Sequence, residues 1–412
     1  MNGQEAEEGR RRTQQQQQQQ QETLSPAASP SPITTKDNHH ATTPTMRIVS
    51  LTSLGNEEGF IFLKNHPQPT TAPNQVLVRV KACAVTPLDR EARKGHHQAF
   101  VRPPAILGYA IAGVVSSLGL EVEHLRSGEE VVGVIPMDSG GGNAEYVAID
   151  SAYLVKKPAE ISFEEAAGAL IGGIRAYTAL HYHAHLVPGD SVLILDGAST
   201  YGHLAVQLAG LWGAKIITTA SSPEEFTFLQ NLSTKIDRII DTSTENLFNA
   251  VMDETGGLGV DILIESHRVE SPPAIDPPSS ASSNSLSSPK GKQEQNEDEN
   301  DEAKARYKND ELVRCLAVHG RWVASSYLQL DPPTTRLLYL RGASLSFLFE
   351  QTWLLSPLQQ GRYLHILEEL LEKIRKEEIR VRVANAFPLE KIREAHRLLD
   401  SPTLVGTIVI KP

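Results

Sequence analysis

Residues 191–222 read SVLILDGASTYGHLAVQLAGLWGAKIITTASS, and this stretch decides the fold. Val192 to Leu195 form a short apolar run of strand type, followed by the small-residue turn Gly197, Ala198, Ser199. Leu204, Val206, Leu208 and Leu211 then sustain a helix, and Lys215 to Thr219 make a second strand. The order is strand, turn, helix, strand. Gly197 permits a tight turn, while Gly202 and Ala205 let the helix pack closely on the sheet with its first amides free. Free N–H groups at a helix start, reinforced by the helix dipole, suit the diphosphate of a dinucleotide. The candidate binding residues are Gly197, Ala198, Ser199, Tyr201 and Gly202 in the turn, with Thr219, Ala220 and Ser221 at the end of the second strand. The match to GxGxxG is loose, and the same spacing fits any α/β crossover with a small-residue turn.

Working outward, RIID (Arg238 to Asp241), GVDILIES (Gly259 to Ser266), GRWVASS (Gly320 to Ser326) and SLSFLF (Ser344 to Phe349) supply a third to a sixth strand. Helical spacing between them gives an α/β fold with a doubly wound parallel sheet. Upstream, QVLVRVKACAVTP, PAILGYAIAGVVSSLG, GEEVVGVIP and GGNAEYVAIDSAYLVKKP are short strands bounded by Gly or Pro, as in a barrel-like β domain. The amphipathic run GRYLHILEELLEKIRKEEI and the closing strand TLVGTIVIKP return the chain to that β domain. The expected organisation is a β domain over 46–170, a dinucleotide domain over 171–350, and a return over 351–412. Residues 1–45, with the glutamine run Gln14 to Gln21, read as a disordered tail. Residues 268–310, with six carboxylates between Glu294 and Glu302, read as a disordered acidic insertion.

A net charge of −11 over 412 residues argues against a nucleic-acid surface. No apolar run reaches the ~18 residues of a membrane span. Cys83 and Cys315 are the only cysteines, which excludes a disulfide framework and a four-cysteine zinc lobe and fits a reducing, cytoplasmic setting.

GYAIAGVVSSLG at Gly108, GNAEYV at Gly142, AYTAL at Ala176, DGAS at Asp196, GGLGVDI at Gly256 and FPLEKIREAH at Phe387 tie these elements to a family. With the order of domains, the chain resembles the medium-chain dehydrogenase/reductase superfamily, in its quinone oxidoreductase (zeta-crystallin) branch. The resemblance implies a GroES-like β-barrel domain joined to a Rossmann domain. It implies hydride transfer from NADPH to a small-molecule acceptor, a quinone or an activated alkene, without zinc. Zinc-dependent members carry Cys at the position of Thr86 and His-Glu at those of Tyr109 and Ala110. It further implies a homodimer through the sheet edge at Ser344 to Phe349, and Thr86, Glu91, Tyr109 and Arg175 as the catalytic candidates.

Departures from the family cluster at the same places. Where relatives have GASGGVG this chain has GASTYGH, so Thr200, Tyr201 and His203 replace glycines. A left-handed backbone there would cost about 1–2 kcal/mol. After the second strand no acid stands on Thr219 to Ser222, which favours NADP(H), yet the relatives' Lys falls on Glu225. Relatives carry Asn, Tyr and Thr where this chain has Thr86, Glu91 and Arg175. Arg175 and Glu91 either recognise a polar acceptor or pair with each other. His181, His183 and His185 offer an i,i+4 metal clip or, at a helix end, partners for the last carbonyls. An inactive coenzyme-sensing or structural relative is the alternative to an enzyme.

Overall fold

The computed structural model describes residues 44–265, 307–326, 328–401 and 404–412. The expected tail up to residue 43, and the expected insertion up to residue 306, lie outside them.

The chain opens with an antiparallel pair, β1 (Thr45–Leu51) and β2 (Phe60–Pro67). β3 (Gln75–Val85) is the hub of the β lobe, and α1 (Pro87–Lys94) follows it directly. β4 (Ala110–Leu118) runs antiparallel along one side of β3, and β6 (Tyr146–Asp150) takes the first half of the other side. β5 (Glu130–Val134) and β7 (Leu154–Lys156) extend the sheet beyond β4. The second half of β3 is left for the chain's last strand.

α2 (Phe163–Tyr177) joins this lobe to the next and runs unbroken across residues 170 and 171. Ser162 and Glu165 cap it reciprocally. Buried on every side from Ala166 onward, it depends on small residues for its close contacts. Cβ atoms added at Gly168, Gly172 and Gly173 would lie 2.6 Å from Thr407, 2.5 Å from the Thr200 carbonyl and 2.2 Å from Leu370. Its last turn widens into a π-helical segment, Thr178–His183, where Ala184 N–H bonds Ala179 C=O.

The second lobe carries β8 (Ser191–Ile194), α3 (Gly202–Leu211), β9 (Lys215–Ala220), α4 (Pro223–Gln230), β10 (Arg238–Asp241), α5 (Leu247–Glu254) and β11 (Val260–Ile264). It continues with α6 (Asn309–Cys315), β12 (Leu316–Ala324), α7 (Pro332–Arg341) and β13 (Ser344–Phe347). All six strands are parallel, in the order β10-β9-β8-β11-β12-β13, the doubly wound sheet expected from the sequence. Successive residues of β8 serve opposite cores, Val192 and Ile194 one and Leu193 and Leu195 the other, so the strand reads as a continuous apolar run. The fifth strand begins at Leu316 and not at Gly320, because Val260 pairs with Leu316 and Ile262 with Arg321. The intervening residues bulge, with His319 at φ 61°.

α8 (Thr352–Leu355) and α9 (Gln360–Arg375) lead back to β14 (Val383–Pro388), α10 (Ile392–Leu399) and β15 (Thr407–Lys411). β15 pairs antiparallel with Cys83 to Val85 of β3. Among the described residues no helix is long and apolar enough to cross a membrane.

Candidate functional site

The strand order reverses between β8 and β11, and a crevice at the carboxyl ends of such strands is where ligands bind in open α/β sheets. The turn after β8 is held by the neighbouring strand. Asp196, at φ 51°, donates its N–H to Thr219 Oγ1 (2.7 Å), and Gly197 N–H bonds Thr219 C=O (3.1 Å). A Cβ on Gly197 would lie 2.1 Å from Thr218 Oγ1, and one on Gly202 would lie 2.2 Å from the Asp196 carbonyl. Both glycines serve close approach, not unusual dihedrals. Thr200, Tyr201 and His203 are absent from the residues with positive φ, so replacing the family's glycines carries no left-handed strain here.

Ser199 organises the start of α3. Its Oγ accepts Gly202 N–H at 2.9 Å, and its carbonyl lies 2.8 Å from His203 Nδ1. Burial lowers the His203 pKa to about 4, so the ring stays neutral. The N–H groups of Ala198, Thr200 and Tyr201 have no partner among the described residues. Three unclaimed amides at the N-terminus of a buried helix fit a diphosphate. The turn is also tied to the far end of the chain: Ala198 C=O accepts Gly406 N–H (3.1 Å), and Thr200 Oγ1 donates to Gly406 C=O (2.7 Å).

Past β9, Thr219 and Ala220 are buried, and Ser221 meets an acid. Glu225 Oε2 accepts both Ser221 N–H (2.6 Å) and Ser221 Oγ–H (3.0 Å). The space read from the sequence as suited to a 2′-phosphate therefore borders a carboxylate.

The four catalytic candidates fall into two groups. Thr86 caps α1, and its N–H and Oγ–H both bond Asp89 Oδ2, at 2.9 and 2.7 Å; Gly108 N–H bonds Asp89 Oδ1 at 2.8 Å. Burial lifts the Asp89 pKa to about 6 against the pull of these donors. Tyr109 lies in the same buried knot, its hydroxyl without a hydrogen-bond partner among the described residues and its pKa raised by burial, then by Asp89. Arg175 and Glu91 form the other group, and they do not pair directly. Glu91 meets His97 Nε2 at 2.9 Å, and His97 stacks on Phe349. Arg175, on the last turn of α2, reaches Glu350 through Nη1 (3.1 Å) and the Ser325 carbonyl through Nη2 (3.3 Å). Its guanidinium lies 5.4 Å from the centre of the Tyr201 ring. Burial alone would lower the Arg175 pKa; Glu350 first, then Glu91 and Tyr201, reverse this and hold it above the ordinary value.

Glu350 and Ser325, at the carboxyl ends of β13 and β12, were not singled out by sequence reading. A lone acid closing the apolar run SLSFLF was the available signal for Glu350. The three histidines stay apart from this centre. His181 packs against Tyr177 and Trp212, and the described residues hold no cluster of metal-ligating side chains.

A seven-stranded β lobe, a doubly wound parallel sheet and free amides at the first crossover define a two-lobed dehydrogenase/reductase. Residues 72–159 match the alcohol dehydrogenase GroES-like domain family and residues 303–410 the zinc-binding dehydrogenase family. Quinone oxidoreductase-like protein 1 of Mus musculus is 37% identical over 332 residues, spanning 78% of this chain and 86% of the mouse protein. The chloroplastic NADPH-dependent alkenal/one oxidoreductase of Arabidopsis thaliana is 33% identical over 187 residues, 43% of this chain and 48% of the plant protein. The quinone oxidoreductase structure from Coxiella burnetii superposes with a TM-score of 0.70 at 23% identity, covering 90% of this chain and all of that one. The chain belongs to the medium-chain dehydrogenase/reductase family, in its quinone oxidoreductase branch.

Proposed function

We propose that this chain is a zinc-independent oxidoreductase that uses NADPH to reduce a quinone or an activated alkene. The observation that carries the reading is the set of unpartnered amides of Ala198, Thr200 and Tyr201 at the start of α3. Those amides, with Gly197 and Gly202 giving close approach, would hold the diphosphate; Thr219, Ala220 and Ser221 would border the adenosine ribose. A bound reduced nicotinamide supplies a hydride from its ring C4. The chain's own part is to fix the acceptor at near-attack distance and exclude water, with Thr86, Glu91, Tyr109 and Arg175 shaping that end. In this reading 46–170 and 351–412 form the catalytic lobe and 171–350 the coenzyme lobe.

Zinc independence is supported by the donor set. The Thr86 hydroxyl is committed to Asp89, and Ala110 has no ligating atom. NADPH over NADH is supported by the lack of an acid on Thr219 to Ser222, with Glu225 weakening that preference. The acceptor class rests on the names of the mouse and Arabidopsis relatives. A homodimer through β13 is supported by its place at the sheet edge and by the exposure of Tyr339 and Leu340 on α7, the helix that leads into it. The two buried free cysteines fit a cytoplasmic setting.

Titration of NADPH fluorescence with the protein tests the core of the reading. Saturable binding is expected, and no binding at millimolar concentration removes it. The burial of Arg175, Tyr201 and Glu350 favours a second reading, a coenzyme-binding relative with little turnover. Robust turnover with a small panel of quinones and enones eliminates that one. A monomer by light scattering at micromolar concentration removes the dimer.

A further inference from the structure

Two side chains that this chain has in place of smaller family residues meet at the acceptor end of the crevice, each with one hydrogen-bond donor unspent. Arg175 and Tyr201 are both 5% exposed, yet among the described residues Arg175 Nε and Tyr201 Oη have no hydrogen-bond partner. Their meeting follows from the crossing of α2 and α3. The close approach of Gly172 to the Thr200 carbonyl sets the end of α2 against the start of α3, and the guanidinium then lies 5.4 Å from the ring centre. Buried donors are seldom left without acceptors, and two of them on side chains in ring contact, one of these tied to Ser325 and Glu350 just past β12 and β13, point to a missing acceptor atom.

The surrounding charges say what kind. Glu350 takes Arg175 Nη1 and the Ser325 carbonyl takes Nη2, so the positive charge is already offset. Glu91 acts on Arg175 through space as a second carboxylate, itself paired with His97. The site offers N–H and O–H donors without net positive charge. A carboxylate arriving there would face two carboxylates already in place; a neutral carbonyl oxygen brings only lone pairs.

We propose that Arg175 Nε–H and Tyr201 Oη–H form a two-donor subsite for the carbonyl oxygen of a neutral acceptor, a quinone or an enone, and discriminate against acceptors bearing a carboxylate. This deepens the hydride-transfer reading and rests on it. Were a hydride delivered to the acceptor carbon, the displaced electron pair would move to the carbonyl oxygen. The Tyr201 O–H bond breaks as its proton passes to that oxygen, and water reprotonates the phenolate. Arg175 keeps its proton throughout and steadies both oxygens.

The probe is 4-(dimethylamino)cinnamaldehyde, a neutral enal whose absorption moves to longer wavelength when its carbonyl oxygen accepts strong hydrogen bonds. The full chain is titrated with it alone and with NADP+, so that no hydride is available. A shift to longer wavelength is expected, together with binding of the corresponding cinnamate at least about tenfold weaker. Tyr201→Phe, nearly isosteric, should lose about half of the shift, and Arg175→Met with Glu350→Leu, which removes the buried pair together, should lose the rest. No shift with the native chain, a full shift in Tyr201→Phe, or equal affinity for the carboxylate overturns the subsite. NADPH fluorescence on the same preparation separates the two claims. Coenzyme binding without a shift refutes the donor pair alone, and a shift without coenzyme binding refutes the hydride-transfer reading alone.

Discussion

The two ends of the crevice have been altered to a similar degree, with different results. At the proposed diphosphate turn, Thr200, Tyr201 and His203 stand where the resemblance sets glycines, yet these three keep ordinary dihedrals, and among the described residues three amides are left unclaimed. At the proposed acceptor end, where the resemblance sets Tyr and Thr, Glu91 pairs with the half-buried His97 and Arg175 with the buried Glu350. A site built from main-chain N–H groups tolerates new side chains as long as they point elsewhere. One built from side chains is rewired by each replacement.

The contrast can be broken most decisively at Arg175. Arg175→Met strands the Glu350 carboxylate in the interior and should cost about 3–5 kcal/mol, read as a lowered denaturant midpoint; adding Glu350→Leu should restore most of it. Equal stability of the single and double variants would mean that the pair is not the unit described.

Among the side chains that hold the turn, His203 is the one whose pKa is shifted to about 4. Its folded pKa lies below its unfolded value, so its contribution is complete above about pH 6.5 and is lost as pH falls toward 4. The loss over that window should be about 3 kcal/mol. His396, also buried and lowered to about 3, adds to the acid sensitivity. Denaturant unfolding at a series of pH values should show a shallower slope for His203→Gln by the His203 share alone. An unchanged slope would refute the assignment.

Gly202→Ala tests whether the amides depend on backbone approach. The new methyl would meet the Asp196 carbonyl, and the overpacking should cost about 1–3 kcal/mol while weakening NADPH binding. Calorimetry on the variant, with and without NADPH, measures both. The smallest effect is expected at Glu225→Lys. Exchanging the acid on Ser221 for a cation should tighten NADPH about tenfold and leave NADH within a factor of two. A parallel gain for NADH would place Glu225 away from the 2′-phosphate.

Much of this architecture was legible in the sequence because parallel strands buried on both faces show as apolar runs, and because β8, the turn and α3 are contiguous. The start of β12 was not, since Leu316 and Arg321 belong to one strand only across a bulge that no periodicity announces. The π-helical end of α2 escaped for the same reason: a spacing of 3.6 does not foretell an i→i+5 bond. At the site, the turn residues could be read in order along the chain. The partner of Arg175 lies 175 positions away and emerged only when α2 was set against the end of β13. Glu225 could be seen to be an acid, but not to reach back to Ser221.

Gly406 belongs to two parts of the molecule at once. It immediately precedes the strand that zips onto β3, and through its own N–H and C=O it grips Ala198 and Thr200. It sits at φ 91°, with a Cβ excluded by the Arg382 carbonyl 2.3 Å away. Residues 404–412 thus act as a splint laid from one lobe across the other. Removing them would unseat the proposed coenzyme cradle from a distance, and filling that cradle would in turn brace the strand that follows Gly406.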